Sequence, residues 1–183
     1  GFYVKTGQIV ASRQDLFPKQ YSNALAGLTD FVDPLPSAEV RRVVAAETLR
    51  PGEVWEDVFS EWDDAPLGAA SVAQVHRAVL SEKYGNKEVA VKVQRPGVET
   101  TLLGDVKQLK RLAKPLRGTT PVDYYIVFQE LESQLADEFD FIREAAAMER
   151  IGATLSEAPG GAALVVPKTI PSLCSKRVLV MDY

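Results

Sequence analysis

The spacing of hydrophobic residues along the chain changes near residue 60. Before this point, apolar residues recur every three or four positions, a period typical of amphipathic helices. Ser37 is a suitable cap for the third of these helices, and Pro51 followed by Gly52 would stop it. The predicted helices span residues 2–15, 18–30 and 37–49, with a short helical turn at 53–59.

Two valine-rich runs follow, on either side of a turn-like stretch, and together they predict an antiparallel hairpin. The runs span residues 72–80 and 87–93. Because successive strand residues point to opposite faces, Ala90 and Lys92 share one face of the second strand. The other face carries three valines that we expect to enter a core, namely Val89, Val91 and Val93.

The remaining half of the sequence predicts two more helices and two short strands. The helices span 98–116 and 122–150, and the strands 163–166 and 177–181. The first helix has an apolar stripe at Val98, Leu102, Val106, Leu109, Leu112 and Leu116. The second has one at Leu131, Leu135, Phe139, Ile142 and Ala146. Helices combined with an antiparallel sheet predict the α+β class.

Three acidic residues border the stripe of the second helix. Asp140 and Glu144 are one turn apart and share a face, so either could reach a lysine on an adjacent strand. Glu138 does not share that face, which predicts either another partner or a distorted helix. A solvated acidic face is the ordinary interpretation of such charges, and the neighbouring apolar stripe weakens it.

Composition narrows the classes of function. The chain is 46% hydrophobic and 25% charged, a balance typical of a soluble globular protein. A net charge of −4 and a pI near 5.2 argue against a nucleic-acid-binding surface. With one cysteine and one histidine, an internal disulfide and a metal site built from several histidines or cysteines are excluded. We interpret Cys174 as an inert thiol and His76 as a structural or surface strand residue.

Two features suggest phosphate chemistry. A strand lysine such as Lys92 can act as a point charge on phosphate oxygens when a carboxylate holds it in place. Upstream of it lies a loop of small residues, Gly68 to Ser71, whose backbone amides could approach phosphates closely. Each feature has an ordinary alternative, a surface lysine on an edge strand and a simple turn. Their order along the chain favours the upper half of a kinase-type nucleotide pocket.

These segments resemble, in family order, the motifs of the UbiB family of atypical kinases, also called aarF-domain-containing or activity-of-bc-one-complex kinases. The family's KxGQ motif matches Lys5-Thr6-Gly7-Gln8, its alanine-rich loop matches Gly68-Ala69-Ala70-Ser71-Val72-Ala73-Gln74-Val75-His76-Arg77-Ala78, and its ExD motif matches Glu138-Phe139-Asp140. The strand Val89-Ala90-Val91-Lys92 and the final Val178-Leu179-Val180-Met181-Asp182-Tyr183 complete the match.

The resemblance implies a protein-kinase-like small lobe, with an antiparallel sheet and a long helix, that carries an added helical extension. Residues 1–60 would form the KxGQ extension, and 61–183 the lobe up to the hinge. Lys92 would pair with Glu144 and contact the phosphates of ATP. The other nucleotide-lining positions would be Gly68, Ala69, Ala70, Ser71, Ala90 and Met181. Lys5, Gly7 and Gln8 would belong to a family motif that lies near Glu138 and Asp140.

By the same resemblance, the parent protein would be a kinase or ATPase of ubiquinone or other prenylquinone metabolism that uses ATP and Mg²⁺. It would be associated with bacterial, mitochondrial or plastid membranes, with prenylquinone lipids and the membrane surface as partners. A second hypothesis is a non-catalytic scaffold for membrane enzymes that is gated by nucleotide. A third is an inactive product of gene truncation or misprediction.

Two departures from the family pattern affect these expectations. Gly68 replaces the first alanine of the usual Ala-Ala-Ala-Ser loop, which predicts a looser loop. The sequence contains no Asp/Asn catalytic loop and no Asp-Phe-Gly segment before its last residue, Tyr183. We expect an excerpt of a longer protein, with most Mg²⁺ ligands elsewhere, and a fragment that is inactive alone and binds nucleotide weakly.

Overall fold

The computed structural model describes residues 19–25, 32–119, 123–157 and 164–183. The helix predicted over 2–15 and the KxGQ residues Lys5, Gly7 and Gln8 lie outside these ranges. The chain divides into two compact units. Unit 1 comprises Gly1–Asp33, Ala70–Val72 and Pro96–Asp137, and unit 2 comprises Pro34–Ala69, Ala73–Arg95 and Glu138–Tyr183.

Unit 2 is built on one antiparallel sheet. Its strands are β1 (Phe59–Trp62), β2 (Gly68–Ala69), β3 (Ala73–Leu80), β4 (Glu88–Gln94) and β5 (Val178–Asp182). The strand order is β1-β3-β4-β5, and β2 pairs with the start of β3. The predicted hairpin is therefore confirmed as β3 and β4, with the short 3₁₀ turn Glu82–Tyr84 between them.

The back face of the sheet carries the main core. Val89, Val91 and Val93 of β4 are at most 2% exposed, as their alternation predicted. Helix α2 (Ser37–Thr48) packs on this face through Val40 and Val44. Other members of the core are Val58, Phe59, Ala78, Leu80, Leu173, Val178 and Val180. Ser37 is the first helical residue and Pro36 occupies the cap position, so the predicted serine cap is wrong.

The front face of the sheet carries a smaller cluster under helix α5 (Phe141–Glu157). Phe141 is buried there against Ala73 and Leu179. Partly buried neighbours are Ala145, Met148, Cys174 and Met181. This face also carries Lys92, because the residue alternates with the buried valines of β4.

Unit 1 contains three of the described helices. They are α1 (Lys19–Leu25), α3 (Val98–Ala113) and α4 (Tyr124–Glu138). Leu102 and Val106 of α3 are buried, as the apolar spacing predicted, and Lys110 pairs with Glu132 of α4. Leu112 is 68% exposed, so the apolar stripe does not continue to the end of α3 as predicted. Leu112 lies roughly 120° around the helix from Val106 and about 80° from Leu102, since each residue turns about 100°.

Two further sequence predictions are corrected by the structure. The helix predicted over 122–150 is two helices, α4 and α5, separated at Phe139 and Asp140. The break resets the helical phase, so Ile142 is 48% exposed and Phe141 is buried instead. The strand predicted at 163–166 is absent from the described residues 164–166, and only an isolated bridge joins Thr169 to Met181. Among the described helices, none is both long and apolar enough to cross a membrane.

Candidate nucleotide site

The centre of the candidate site is an ion pair on the front face of unit 2. Nζ of Lys92 donates hydrogen bonds to Oε1 and Oε2 of Glu144 at 2.6 and 2.7 Å. The ammonium also lies 4.6 Å from the ring centroid of Phe141, within the range of a cation–π contact. The contact predicted between Lys92 and Glu144 is therefore present.

Lys92 is held in this position by the middle of the sheet. In the register of the strands it pairs with Val75 of β3 on one side and Leu179 of β5 on the other. The side chain is 26% exposed and that of Glu144 is 39% exposed. The pair is therefore accessible from solvent, although Leu179 beside it is buried and Val75 is partly buried.

Glu144 reaches the lysine because helix α5 begins at the right place. Asp140 caps this helix: its Oδ1 accepts hydrogen bonds from the backbone amides of Ile142 and Arg143 at 3.1 and 3.2 Å. The Phe141 amide donates to the carbonyl of Lys176 at 3.1 Å, which ties the first turn to the segment before β5. The cap places Glu144 one turn into the helix, facing the sheet.

The ExD residues have separate roles in the structure. Either Asp140 or Glu144 could have met a strand lysine according to the sequence, and it is Glu144 that does so. The Asp140 side chain is used in capping α5. Glu138 is the exposed last residue of α4, on the other side of the helix break. The sequence left two alternatives for Glu138, another partner or a distorted helix, and the structure shows that the helix breaks one residue further along the chain.

Two other predicted nucleotide-lining residues share the front face with Lys92. Ala90 lies two residues before the lysine on β4 and pairs with Met181 of β5. Ala90 is 7% exposed and Met181 is half-buried. The front face beside Lys92 therefore carries one small and one flexible apolar side chain.

The small-residue loop is divided between the two units. Gly68 and Ala69 form β2 and pair with Val75 and Gln74 of β3, so they belong to the sheet of unit 2. Ala70 and Ser71 belong to unit 1. A Cβ atom at Gly68 would meet no heavy atom within 4 Å, so the alanine usual at this position in the family would fit without steric conflict.

The lysine has one donor left for a ligand. An ammonium group carries three N–H donors, and Glu144 accepts two hydrogen bonds. The third donor can be used by a phosphate oxygen without breaking the ion pair. The arrangement is thus suited to hold an anion by a fixed point charge, which is the chemistry expected of a phosphate-binding lysine.

The sequence did not predict the roles that Phe141 and Asp140 have in the structure, a buried anchor and a helix cap. Phe141 was not predicted to be buried, because the apolar stripe was counted through an unbroken helix. An aspartate directly before a new helical phase is a recognisable N-cap signal, and it could have located the break at Asp140.

The environment of Cys174 agrees with its interpretation as an inert thiol. Its Sγ lies 3.5 Å from both the amide nitrogen and the carbonyl oxygen of Val180. Burial raises the pKa of this thiol and outweighs the backbone hydrogen bonds that lower it. A raised pKa leaves less thiolate, the nucleophilic form, at neutral pH.

The geometry above is that of a protein-kinase small lobe, and comparison with known proteins agrees. The computed structure is similar to one solved as the complex of Rv3197 with erythromycin from Mycobacterium tuberculosis. The TM-score is 0.66 at 30% sequence identity, and the match covers 98% of this chain and 43% of that one. The predicted α+β, kinase-like fold is therefore confirmed.

The sequence matches the ABC1 atypical kinase-like domain over residues 27–183, and the chain belongs to this family. It is 33% identical to a probable protein kinase UbiB of Erwinia tasmaniensis, over 98% of this chain and 32% of the relative. It is also 33% identical to the chloroplastic protein ACTIVITY OF BC1 COMPLEX KINASE 8 of Arabidopsis thaliana, over 99% of this chain and 23% of the relative. The chain thus spans about a third or less of these two relatives.

Proposed function

We propose that this chain is the ATP-binding lobe of an atypical kinase-like protein that acts in ubiquinone or other prenylquinone metabolism. The observation that carries the proposal is the ion pair of Lys92 and Glu144 on the front face of the sheet. Family membership supports a kinase-like protein, and the names of the relatives support the link to quinones and a bacterial or plastid setting.

The residues present fit the nucleotide, whereas the described part of the chain contains no cluster of acidic, histidine or cysteine side chains that would hold its metal. The free donor of Lys92 would bind a phosphate oxygen, and Ala90 and Met181 would line the base. Bound Mg²⁺ would neutralise phosphate charge. The carboxylate of Glu144 is engaged by Lys92 and would act by holding the lysine rather than the metal.

Binding of nucleotide by the full-length protein tests the proposal directly. We expect Mg-ATP to raise the melting temperature and to give a saturable isotherm in calorimetry, because a ligand that binds only the folded state stabilises it. AMP is the control, since it lacks the β- and γ-phosphates that Lys92 would contact. Equal responses to Mg-ATP and AMP, or no response to either, would contradict the proposal.

An anionic membrane surface is the partner that we propose for unit 1. Lys107, Lys110, Arg111 and Lys114 line one groove of about 370 Å³ beside Tyr125 and Glu132. Their spacing places these cations on one side of α3. Leu112 and Leu116 are 68% and 50% exposed on the other side of the segment, since Leu112 lies roughly 140° around the helix from Lys107. A basic face combined with an exposed apolar face is typical of helices that lie on anionic lipid.

Sedimentation with vesicles tests this partner. The affinity of the protein for vesicles that contain 30 mol% phosphatidylglycerol should exceed its affinity for pure phosphatidylcholine vesicles by about tenfold or more. The reason is that each basic residue near the surface contributes roughly 1 kcal/mol. The double variant Lys107→Glu with Arg111→Glu should lose this preference. Arg42→Glu, which changes an exposed side chain on α2, is the control. Binding that ignores lipid charge would rule out the proposed surface.

A further inference from the structure

Two polar residues are completely buried on the back face of the sheet, away from Lys92. Gln74 is 1% exposed and His76 is 0% exposed, both on β3. Trp62 of β1 stacks on the His76 ring at 4.9 Å between centroids and an interplanar angle of 21°. Buried polar groups are costly unless they are fully hydrogen-bonded, so their partners indicate their role.

These residues form a chain of hydrogen bonds with a fixed direction. The Leu35 amide donates to Oε1 of Gln74 at 2.8 Å. Nε2 of Gln74 lies 2.8 Å from Nε2 of His76, and Nδ1 of His76 lies 2.8 Å from the carbonyl oxygen of Asp63. A backbone amide can only donate and a carbonyl can only accept. Therefore the Gln74 amide donates to His76, and the neutral imidazole carries its proton on Nδ1.

The chain links two segments of unit 2 that are distant in sequence. Leu35 lies two residues before the first residue of α2, Ser37. Asp63 begins the stretch that leads from β1 to the small-residue loop. Gln74 is also the cross-strand partner of Ala69, so its backbone forms the base of that loop.

We propose that Gln74 and His76 are positioning residues for the small-residue loop, and that they couple its conformation to the segment before α2. Displacement of Leu35 would break the hydrogen bond that its backbone amide donates to Oε1 of Gln74. The side-chain amide of Gln74 would then be free to rotate, and His76 would lose the hydrogen bond that it accepts from Gln74. The carbonyl of Asp63 would then lose a defined partner. This positioning role rests on the proposed nucleotide site.

Amide hydrogen exchange in the whole chain tests the coupling, because each substitution is read out at the opposite end of the hydrogen-bond chain. His76→Phe keeps a ring for Trp62 to stack on and removes both nitrogens. Gln74→Met keeps a similar volume and removes the amide. The amides of Asp63 and Leu67 donate to the carbonyls of Arg77 and Val75 on β3 at 3.0 and 2.8 Å. We expect His76→Phe to accelerate exchange at the Leu35 amide, and Gln74→Met to accelerate exchange at the amides of Asp63 and Leu67. Each effect should be about fivefold or more, the equivalent of one net hydrogen bond.

A control variant separates coupling from a general loss of stability. Val44→Ala removes buried volume from the same core without touching the hydrogen-bond chain. It should leave the relative exchange of the Leu35, Asp63 and Leu67 amides unchanged. If His76→Phe affects only Asp63, and Gln74→Met affects only Leu35, the two residues act independently and the proposed coupling is wrong.

Nucleotide affinity gives the second readout. Gln74→Met and His76→Phe should each weaken Mg-ATP binding by about fivefold, and the double variant should weaken it no further, because coupled residues are not additive. Unchanged affinity in both variants, or a fully additive double variant, would overturn the proposal while the nucleotide site stands. If the wild type binds no nucleotide, the proposed function fails, and the exchange data still decide the coupling.

Discussion

Replacing Lys92 with Met in the full-length protein should lower ATP turnover by about 100-fold or more, the usual cost of removing one group that stabilises charge on a transferring phosphoryl. The substitution removes the ammonium that Glu144 holds at 2.6 Å and that we propose contacts phosphate. It also leaves the carboxylate of Glu144 beside the site without its cation. Steady-state turnover with Mg-ATP is the measurement.

Lys83→Met is the matched control for this prediction. Lys83 is also paired with a glutamate, Glu53, and it lies in the turn between β3 and β4 of the same unit. The control should retain turnover within about twofold of the wild type, since exposed ion pairs contribute little. Equal turnover in Lys92→Met and Lys83→Met would remove the basis of the nucleotide site. A wild type that binds Mg-ATP without turnover would favour the scaffold hypothesis.

Phe141→Ala should lower the free energy of unfolding by about 3–5 kcal/mol, the range measured for buried phenylalanines. The ring is 1% exposed and anchors the first turn of α5 against the sheet. Its loss leaves a cavity and removes the surface over which the Lys92 ammonium lies. The measurement is urea unfolding, with the midpoint and slope determined separately.

The adjacent residue provides the control for this substitution. Ile142 is 48% exposed, so Ile142→Ala should change the free energy of unfolding by less than about 1 kcal/mol. The contrast between neighbours tests the helix break directly. The sequence predicted an unbroken helix in which Ile142 faces the core. A larger loss of unfolding free energy in Ile142→Ala than in Phe141→Ala would support that unbroken helix instead.

The elements with a clear period could be predicted from the sequence. The hairpin of β3 and β4 follows from alternating valines, and α2 follows from apolar spacing with stop signals on both sides. The same alternation placed Lys92 opposite the buried valines, because strand geometry leaves no other choice. Pairing with Glu144 came from the family resemblance, since local periodicity does not report contacts between distant segments.

The rest required three-dimensional information. No proline or glycine occurs between residues 123 and 151, so nothing in the helical pattern marked the break at Asp140 except its capping chemistry. Strand β1 has only four residues, with polar Ser60 and Glu61 in its middle, and gives a weak signal. Gln74 and His76 are polar residues that the sequence could not assign to the core, because their burial depends on partners contributed by Leu35 and Asp63.

The state of the chain's single cysteine has a practical consequence. Because the Cys174 thiol is half-buried and its pKa is raised, it should react slowly with maleimide or iodoacetamide at neutral pH. A cysteine placed at an exposed position such as Leu112 could then carry a fluorescent or spin label with little background. A change in the fluorescence emission or the spin-label spectrum would report whether α3 enters a lipid headgroup layer.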